Sequence, residues 1–260
     1  MNETTLVIGD YHDAPEDTDK ARADHIATAI QTRKPHHIVF IGYLMTVDSM
    51  SAWDHNSNLM MEGRRFKKDI DSMNESLDRM LNCIDHMEGY KPSIYITWGN
   101  HEDRINRYIK KAENSILEGM LDIEKLLKIK ERGITTVPYK QWLMINGVGF
   151  THIPFNNVSP IGSAGQFVSI PKKVMQFYAF PTVYGHTHRL EYAEKTIQVE
   201  PNKWKTIQSL NCGSFLSWDG EDYMKGNHNE WTRCLVMLHH YEHGRFNFHA
   251  ISRESLDAML

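Results

Sequence analysis

The stretch Thr4-Thr5-Leu6-Val7-Ile8-Gly9-Asp10-Tyr11-His12 sets the frame for the whole chain. A β-branched and aliphatic run, Thr4–Ile8, reads as a buried strand. It stops at a glycine, which lets the backbone turn sharply, and an acid and a histidine follow at once. The same arrangement recurs. Ser93–Thr97 (SIYIT) is followed by Gly99-Asn100-His101-Glu102, Val148–Thr151 by His152, and Thr182–Tyr184 by Gly185-His186-Thr187-His188. The continuous apolar run His37–Ile41 (HIVFI) is followed by Gly42-Tyr43. In open sheets, sites form where loops converge at the carboxyl ends of strands, so these polar clusters are expected to meet.

Between the early strands the apolar period changes to that of helices. Asp17–Thr32 carries Ala21, Ile26, Ala29 and Ile30 on one face, and Met60–Met87 carries Phe66, Ile70, Met73, Leu77, Met80, Leu81 and Ile84. Helices are also expected from about Asp103 to Lys130. The second half is richer in strands: Ile134–Val137, Gln141–Ile145, Tyr192–Val199, Lys205–Leu210, Arg233–His239 and Arg245–Ile251. Asn146-Gly147 is a hairpin turn, and Pro171–Tyr178 is a helix candidate. A βαβ-type half followed by a strand-rich half predicts two packed β-sheets flanked by helices in one α/β domain spanning 1–260.

Composition narrows the function. The 260 residues include 41% hydrophobic and 24% charged residues, which is ordinary globular usage. Lys plus Arg is 29 against 33 Asp plus Glu, a net charge of -4, which disfavours a broad basic surface for nucleic acid. Three widely spaced cysteines, Cys83, Cys212 and Cys234, read as reduced thiols rather than as a disulfide framework. The segment Gln141–Pro171 has no charged residue, but Gly, Pro and Asn break it throughout, so it does not read as a spanning helix. No signal peptide is evident, and a soluble, cytoplasmic protein without a membrane partner is expected. There are 15 histidines, and histidine is the commonest metal ligand. Imidazole with carboxylate suits first-row divalent metals.

The ordered set D-x-H, G-N-H-E, a lone His and G-H-T-H, with the later Asn211-Cys212-Gly213-Ser214, resembles the calcineurin-like metallophosphoesterases, most closely the compact members from phages and bacteria in which an Arg follows G-N-H-E. The resemblance runs from Asp10 to Ser214. It implies a four-layer αββα sandwich and a metal-dependent phosphoesterase acting on phosphomono- or phosphodiesters of nucleotide or nucleic-acid-end type, with a metal-activated hydroxide as nucleophile. It further implies two divalent ions, manganese first, with iron, nickel or zinc as alternatives. Position by position, Asp10, His12 and His188 would hold one ion, and Asn100, His152 and His186 the other. His101 would be the catalytic imidazole. Arg104 would bind substrate; Glu102 and Arg104 could orient His101 or the phosphate, although a surface salt bridge is the preferred role for each.

One position departs from the pattern. The family carries Gly-Asp after its second strand, and that Asp bridges the two ions; here the pair is Gly42-Tyr43. A neutral phenol bridges poorly because its ordinary pKa is about 10. Loss or weakening of the second ion is the leading expectation. A tyrosinate ligand, or Asp13, Asp48 or Asp54 swinging in, are alternatives. The competing function is a catalytically inactive binding or scaffold protein that keeps the fold. The remaining histidines, including His36, His37, His239, His240, His243 and His249, read as structural or surface residues, with His55 as an outside candidate for the site.

Overall fold

The computed structural model describes residues 3–51, 61–156, 159–161, 169–217 and 230–259, with only the backbone described at 112 and 115. Asp54, His55 and residues 157–158 and 162–168 of the uncharged segment lie outside the described residues.

Chain order gives β1 (Thr4–Gly9), α1 (Ala21–Arg33), β2 (His37–Ile41), α2 (Phe66–Asp85), β3 (Ser93–Thr97), α3 (Asp103–Ile109), α4 (Ile123–Leu126) and β4 (Ile134–Val137). There follow β5 (Leu143–Ile145), β6 (Val148–Thr151), α5 (Ile170–Phe177), β7 (Thr182–Tyr184), β8 (Leu190–Glu200), β9 (Lys203–Cys212), β10 (Cys234–His240), β11 (Phe246–Ser252) and α6 (Arg253–Asp257).

The strands form two sheets. One has the order β11-β10-β1-β2-β3-β4, with β1 to β4 parallel and the β10–β11 hairpin antiparallel on one edge. The other has the order β5-β6-β7-β9-β8, with β6, β7 and β9 parallel and an antiparallel hairpin partner on each edge. The apolar residues of β1 and β2 divide between the two faces of the sheet as the strand period requires. Val7, Val39 and Ile41 face the second sheet and pack with Val148, Phe150, Val183 and Leu210. Leu6, Ile8, Ile38 and Phe40 face outward under Ile26, Ile30, Met73 and Leu77 of α1 and α2. On the far side, Met175 of α5 packs on Ala193 and Ile207. The layers are therefore helix, sheet, sheet, helix.

The helices expected from about Asp103 to Lys130 are present as short segments: α3, a 3₁₀ turn at Ala112–Leu117 and the single turn α4. Gly119, whose φ is +78°, interrupts them; Ile105, Leu127 and Ile129 are buried in the core, and Ile109, Leu121, Ile123 and Leu126 pack partly buried against it. Asn146 and Gly147 both have positive φ, 49° and 78°, as a two-residue hairpin of this kind requires.

Candidate metal centre

The loops leaving β1, β2, β3, β6 and β7 meet at one end of the two sheets. Asp10 and His12 follow β1, Tyr43 follows β2, Asn100 and His101 follow β3, His152 follows β6, and His186 and His188 follow β7. Backbone bonds join these loops: Asp10 N–H donates to Ile41 O at 3.2 Å, His12 N–H to Tyr43 O at 2.8 Å, and Gly185 N–H to His152 O at 3.0 Å. Asp10, His12, Tyr43, His186 and His188 all have positive φ. Left-handed backbone at non-glycine residues is costly and clusters at functional sites.

Close approach is what the glycines provide. A Cβ on Gly42, whose φ is +55°, would overlap the His152 ring, and one on Gly185 would overlap the Asp10 carboxylate.

Asp10 is the centre of the first set. Its Oδ1 lies 3.7 Å from His188 Nε2, 3.7 Å from His152 Nδ1 and 4.0 Å from His12 Nε2. Asp10, His12 and His188 offer ligand atoms that all lie within 4.8 Å of one another. Two ligands each about 2.1 Å from one ion stand roughly 3.4–3.8 Å apart, so the spacing needs only small adjustment. Asp10 Oδ1 and both ring nitrogens of His188 are buried without a hydrogen-bond partner among the described residues. A buried acceptor left unsatisfied is expensive, and a cation at this point satisfies several at once. Asp10 Oδ2 is already occupied, accepting His186 N–H at 2.7 Å.

The second set brings further nitrogen and oxygen atoms together. His152 Nε2 lies 3.0 Å from Asn100 Oδ1 and 3.2 Å from His186 Nδ1, and Tyr43 Oη lies 3.4 Å from His186 Nδ1. Electrostatics agree with a cation site. Burial pushes the Asp10 carboxyl up to about 7, which makes its charge costly unless compensated. Burial also holds His152 and His188 well below the ordinary imidazole value and lowers His186 to about 4, leaving neutral rings with free lone pairs.

Tyr43 fills the space among these groups. Its ring centroid is 3.9 Å from that of His101 and 4.5 Å from those of His12 and His152. Burial, reinforced by Asp10, pushes its phenol well above the ordinary value, so it is neutral. Asp13 is no substitute, because Lys20, Ser72 and Ser76 engage its carboxylate at 2.6–3.0 Å. Asp48 pairs instead with Arg104, at 3.5 Å.

Two neighbours differ from the surface roles expected of them. Glu102 is 2% exposed. Its Oε1 accepts Leu44 N–H at 2.7 Å and Met45 N–H at 3.3 Å, and its Oε2 accepts Gly99 N–H at 2.9 Å. It thereby fastens the loop bearing Tyr43 to the loop bearing Asn100 and His101. Arg104 is largely buried and donates to His101 Nε2 at 2.8 Å and to Thr46 O at 2.8 Å. Because guanidinium only donates, His101 Nε2 must accept, which leaves the ring proton on Nδ1. Burial and the Arg104 charge hold His101 well below its ordinary value.

Arg22 carried no functional signal in the sequence, yet it is 1% exposed beneath the site. It donates to Tyr11 O, between Asp10 and His12, and to Phe215 O at 2.7 Å, next to Ser214. In the same region Asn211 donates to Thr187 Oγ1 and braces the Gly185–His188 turn. Three other histidines have structural partners: His37 with Glu3 at 3.0 Å, His25 with Asp257 at 2.7 Å and His240 with Thr5 at 2.7 Å. The cysteines are free, with Cys212 and Cys234 buried.

No family model matches the chain, and no curated protein matches it. Among solved structures it is similar to nuclease MPE of Pseudomonas putida, with 11% identity, a TM-score of 0.37, and coverage of 93% of this chain and 85% of that one. It is also similar to Yfce, a phosphoesterase from E. coli, with 13% identity, a TM-score of 0.39, and coverage of 90% and 87%. With TM-scores below 0.5, neither likeness bears on the chemistry. Among the described residues no helix is long and apolar enough to cross a membrane.

Proposed function

We propose that this chain is a metal-dependent phosphoesterase whose second ion position is weakened by Tyr43. The observation that carries the reading is the buried Asp10 Oδ1, unpartnered and 3.7–4.0 Å from nitrogens of His12, His152 and His188. In this reading Asp10, His12 and His188 hold one divalent ion, and Asn100, His152 and His186 form the weaker set. Bound divalent ions supply electrophilic charge for the phosphoryl oxygens and acidify water.

The chain's own residues would do the rest. His101, whose proton the Arg104 contact leaves on Nδ1, would donate a hydrogen bond to the leaving-group oxygen and stabilise the charge that develops there. Arg104 holds the ring from Thr46 and Asp48. The substrate class is a phosphomono- or phosphodiester of nucleotide type.

The test measures bound Mn²⁺ and hydrolysis of bis-p-nitrophenyl phosphate for the wild type, Tyr43→Asp and Asp10→Asn. The expected stoichiometry is near one for the wild type and near two for Tyr43→Asp, with at least tenfold faster turnover in the latter. Asp10→Asn should lose both ions and activity. If no divalent ion binds to any of the three, the reading fails. Equal stoichiometry and turnover in wild type and Tyr43→Asp would remove the attenuation. The Tyr43 ring among the ligands also favours a second reading, an inactive binding module, which predicts that Tyr43→Asp gains an ion but no turnover.

A further inference from the structure

Beside the second ligand set stands a group of side chains that the proposed chemistry does not use. Tyr139 and Lys140 follow β4, and Phe155 follows β6 three residues after His152. Both aromatic rings are half-buried and Lys140 is exposed. The Tyr139 ring centroid is 6.4 Å from that of His152 and 5.9 Å from that of Phe155, and the two aromatic rings meet edge-on, at 80°. Lys140 Nζ is 4.9 Å from the Phe155 centroid and 5.5 Å from the Tyr139 centroid. Tyr178 donates to Phe155 O, which fixes that backbone. On the same side Arg107 donates to Asn100 O at 2.9 Å and pairs with Asp103 at 3.4 Å while remaining largely exposed.

We propose that Tyr139 and Phe155 form a stacking subsite for the nucleobase of a nucleoside phosphate ester, with Lys140 as the cation that meets its phosphate. This inference rests on the phosphoesterase reading for the position of the scissile phosphate. Three features support it. The rings are adjacent to the ligand set, with Tyr139 6.4 Å from His152, so a base stacked there stands beside a phosphate held at that set. Two edge-on rings present a corner that a planar base fills, whereas an aliphatic alcohol leaves it open. A lysine over two aromatic faces is a mobile cation already held where an anionic, planar ligand would need it. The chain is acidic overall, so the phosphate is attracted locally rather than by a broad basic surface.

The test is binding by calorimetry of AMP, a short single-stranded oligonucleotide with a 5′-phosphate, and inorganic phosphate to Mn²⁺-loaded wild type, Tyr139→Ala, Phe155→Ala and Lys140→Ala, with hydrolysis of a nucleotide diester and of an alkyl diester measured in parallel. Loss of base stacking weakens binding about 5- to 100-fold. Tyr139→Ala and Phe155→Ala should show that loss for AMP with phosphate binding unchanged, and Lys140→Ala should weaken both AMP and phosphate. An oligonucleotide that binds tighter than AMP and keeps the same dependence assigns the subsite to nucleic-acid ends; equal or weaker binding assigns it to free nucleotides. AMP binding unaffected by either aromatic substitution overturns the proposal, even if the protein hydrolyses diesters. AMP binding that depends on Tyr139 and Phe155, without any hydrolysis, sustains the subsite and counts against the phosphoesterase reading alone.

Discussion

Removing the Glu102 carboxylate should separate the two loops that face each other across the site. Three backbone N–H groups, of Leu44, Met45 and Gly99, donate to it at 2.7, 3.3 and 2.9 Å. Leu44 and Met45 are fully buried. A buried donor stripped of its acceptor costs about 1–3 kcal/mol. Two strong bonds and one weak one in Glu102→Ala therefore sum to roughly 4–6 kcal/mol. Part of this is recovered, because burial already makes the carboxylate charge unfavourable, which leaves a net loss of about 3–5 kcal/mol. Glu102→Gln keeps the shape and one acceptor oxygen. If that oxygen faces Leu44 and Met45, only the Gly99 N–H is orphaned, at about 1–3 kcal/mol. Urea unfolding followed by tryptophan fluorescence reads both. With a slope of about 2–3 kcal/mol per molar, the alanine midpoint should fall by roughly 1–2 M and the glutamine midpoint by about half as much. Manganese affinity of the folded Glu102→Gln protein should also fall, since Asn100 and Tyr43 lose their common anchor. An alanine variant within about 1 kcal/mol of wild type, or a glutamine variant as damaged as alanine, would refute the clamp.

Further outcomes follow from the same geometry. Gly42→Ala places a methyl against the His152 ring at a residue with φ of +55°; thermal unfolding should show it destabilised, and titration should show weakened binding at the second ligand set. Burial raises Asp69 to about 6 from 3.8 and lowers His240 to about 4 from 6.5. Between those limits folded Asp69 binds more protons than unfolded, so its contribution falls as pH rises from about 4 to 6; folded His240 binds fewer, so its contribution falls as pH drops from about 6.5 to 4. The two oppose each other, and in unfolding measured across this range Asp69→Asn should steepen the loss of stability toward acid while His240→Gln should reduce it. Excess Mn²⁺ at about 100 times its dissociation constant should add about 2.7 kcal/mol to the unfolding free energy of wild type, and Asp10→Asn should abolish that gain.

The strands were legible because their apolar runs are short, β-branched and closed by glycine or by polar residues. His37–Ile41 and Ser93–Thr97 have the same bounds in sequence and structure. The rule that strand ends converge was enough to anticipate that Asp10, Asn100, His152 and His186 would be neighbours. What could not be read were contacts made by charged residues to backbone. Nothing near Glu102 in sequence signals that its partners are N–H groups 57 and 58 residues away. Arg22 looks like a surface position of an amphipathic helix, and only the folded loops supply the carbonyls of Tyr11 and Phe215 that justify its burial. The stretch after Asp103 was legible as helical, but not where its helices break. Its residues favour helix locally, but Gly119, at a φ of +78°, interrupts the run and the segments on either side stay short.

Tyr43 links these points into one energetic argument. With a phenol at this position the buried site contains one central carboxylate, and the raised affinity of Asp10 for a proton, near 7, lets it be neutralised without any ion. An aspartate there would set a second acid beside the first, and two close buried carboxylates cannot both ionise cheaply. The metal-free protein would then be destabilised, while ion binding would become stronger because the added charge is compensated only when the ions are present. The stability order of wild type and Tyr43→Asp should therefore reverse between chelator and excess Mn²⁺. Tyr43→Asn, which opens the same space without a charge, isolates the electrostatic part. It should be damaged in chelator by the lost packing alone and should recover little on adding metal. If Tyr43→Asp is as stable as Tyr43→Asn in chelator and gains no more from Mn²⁺, the residue at position 43 does not govern the charge balance of the site.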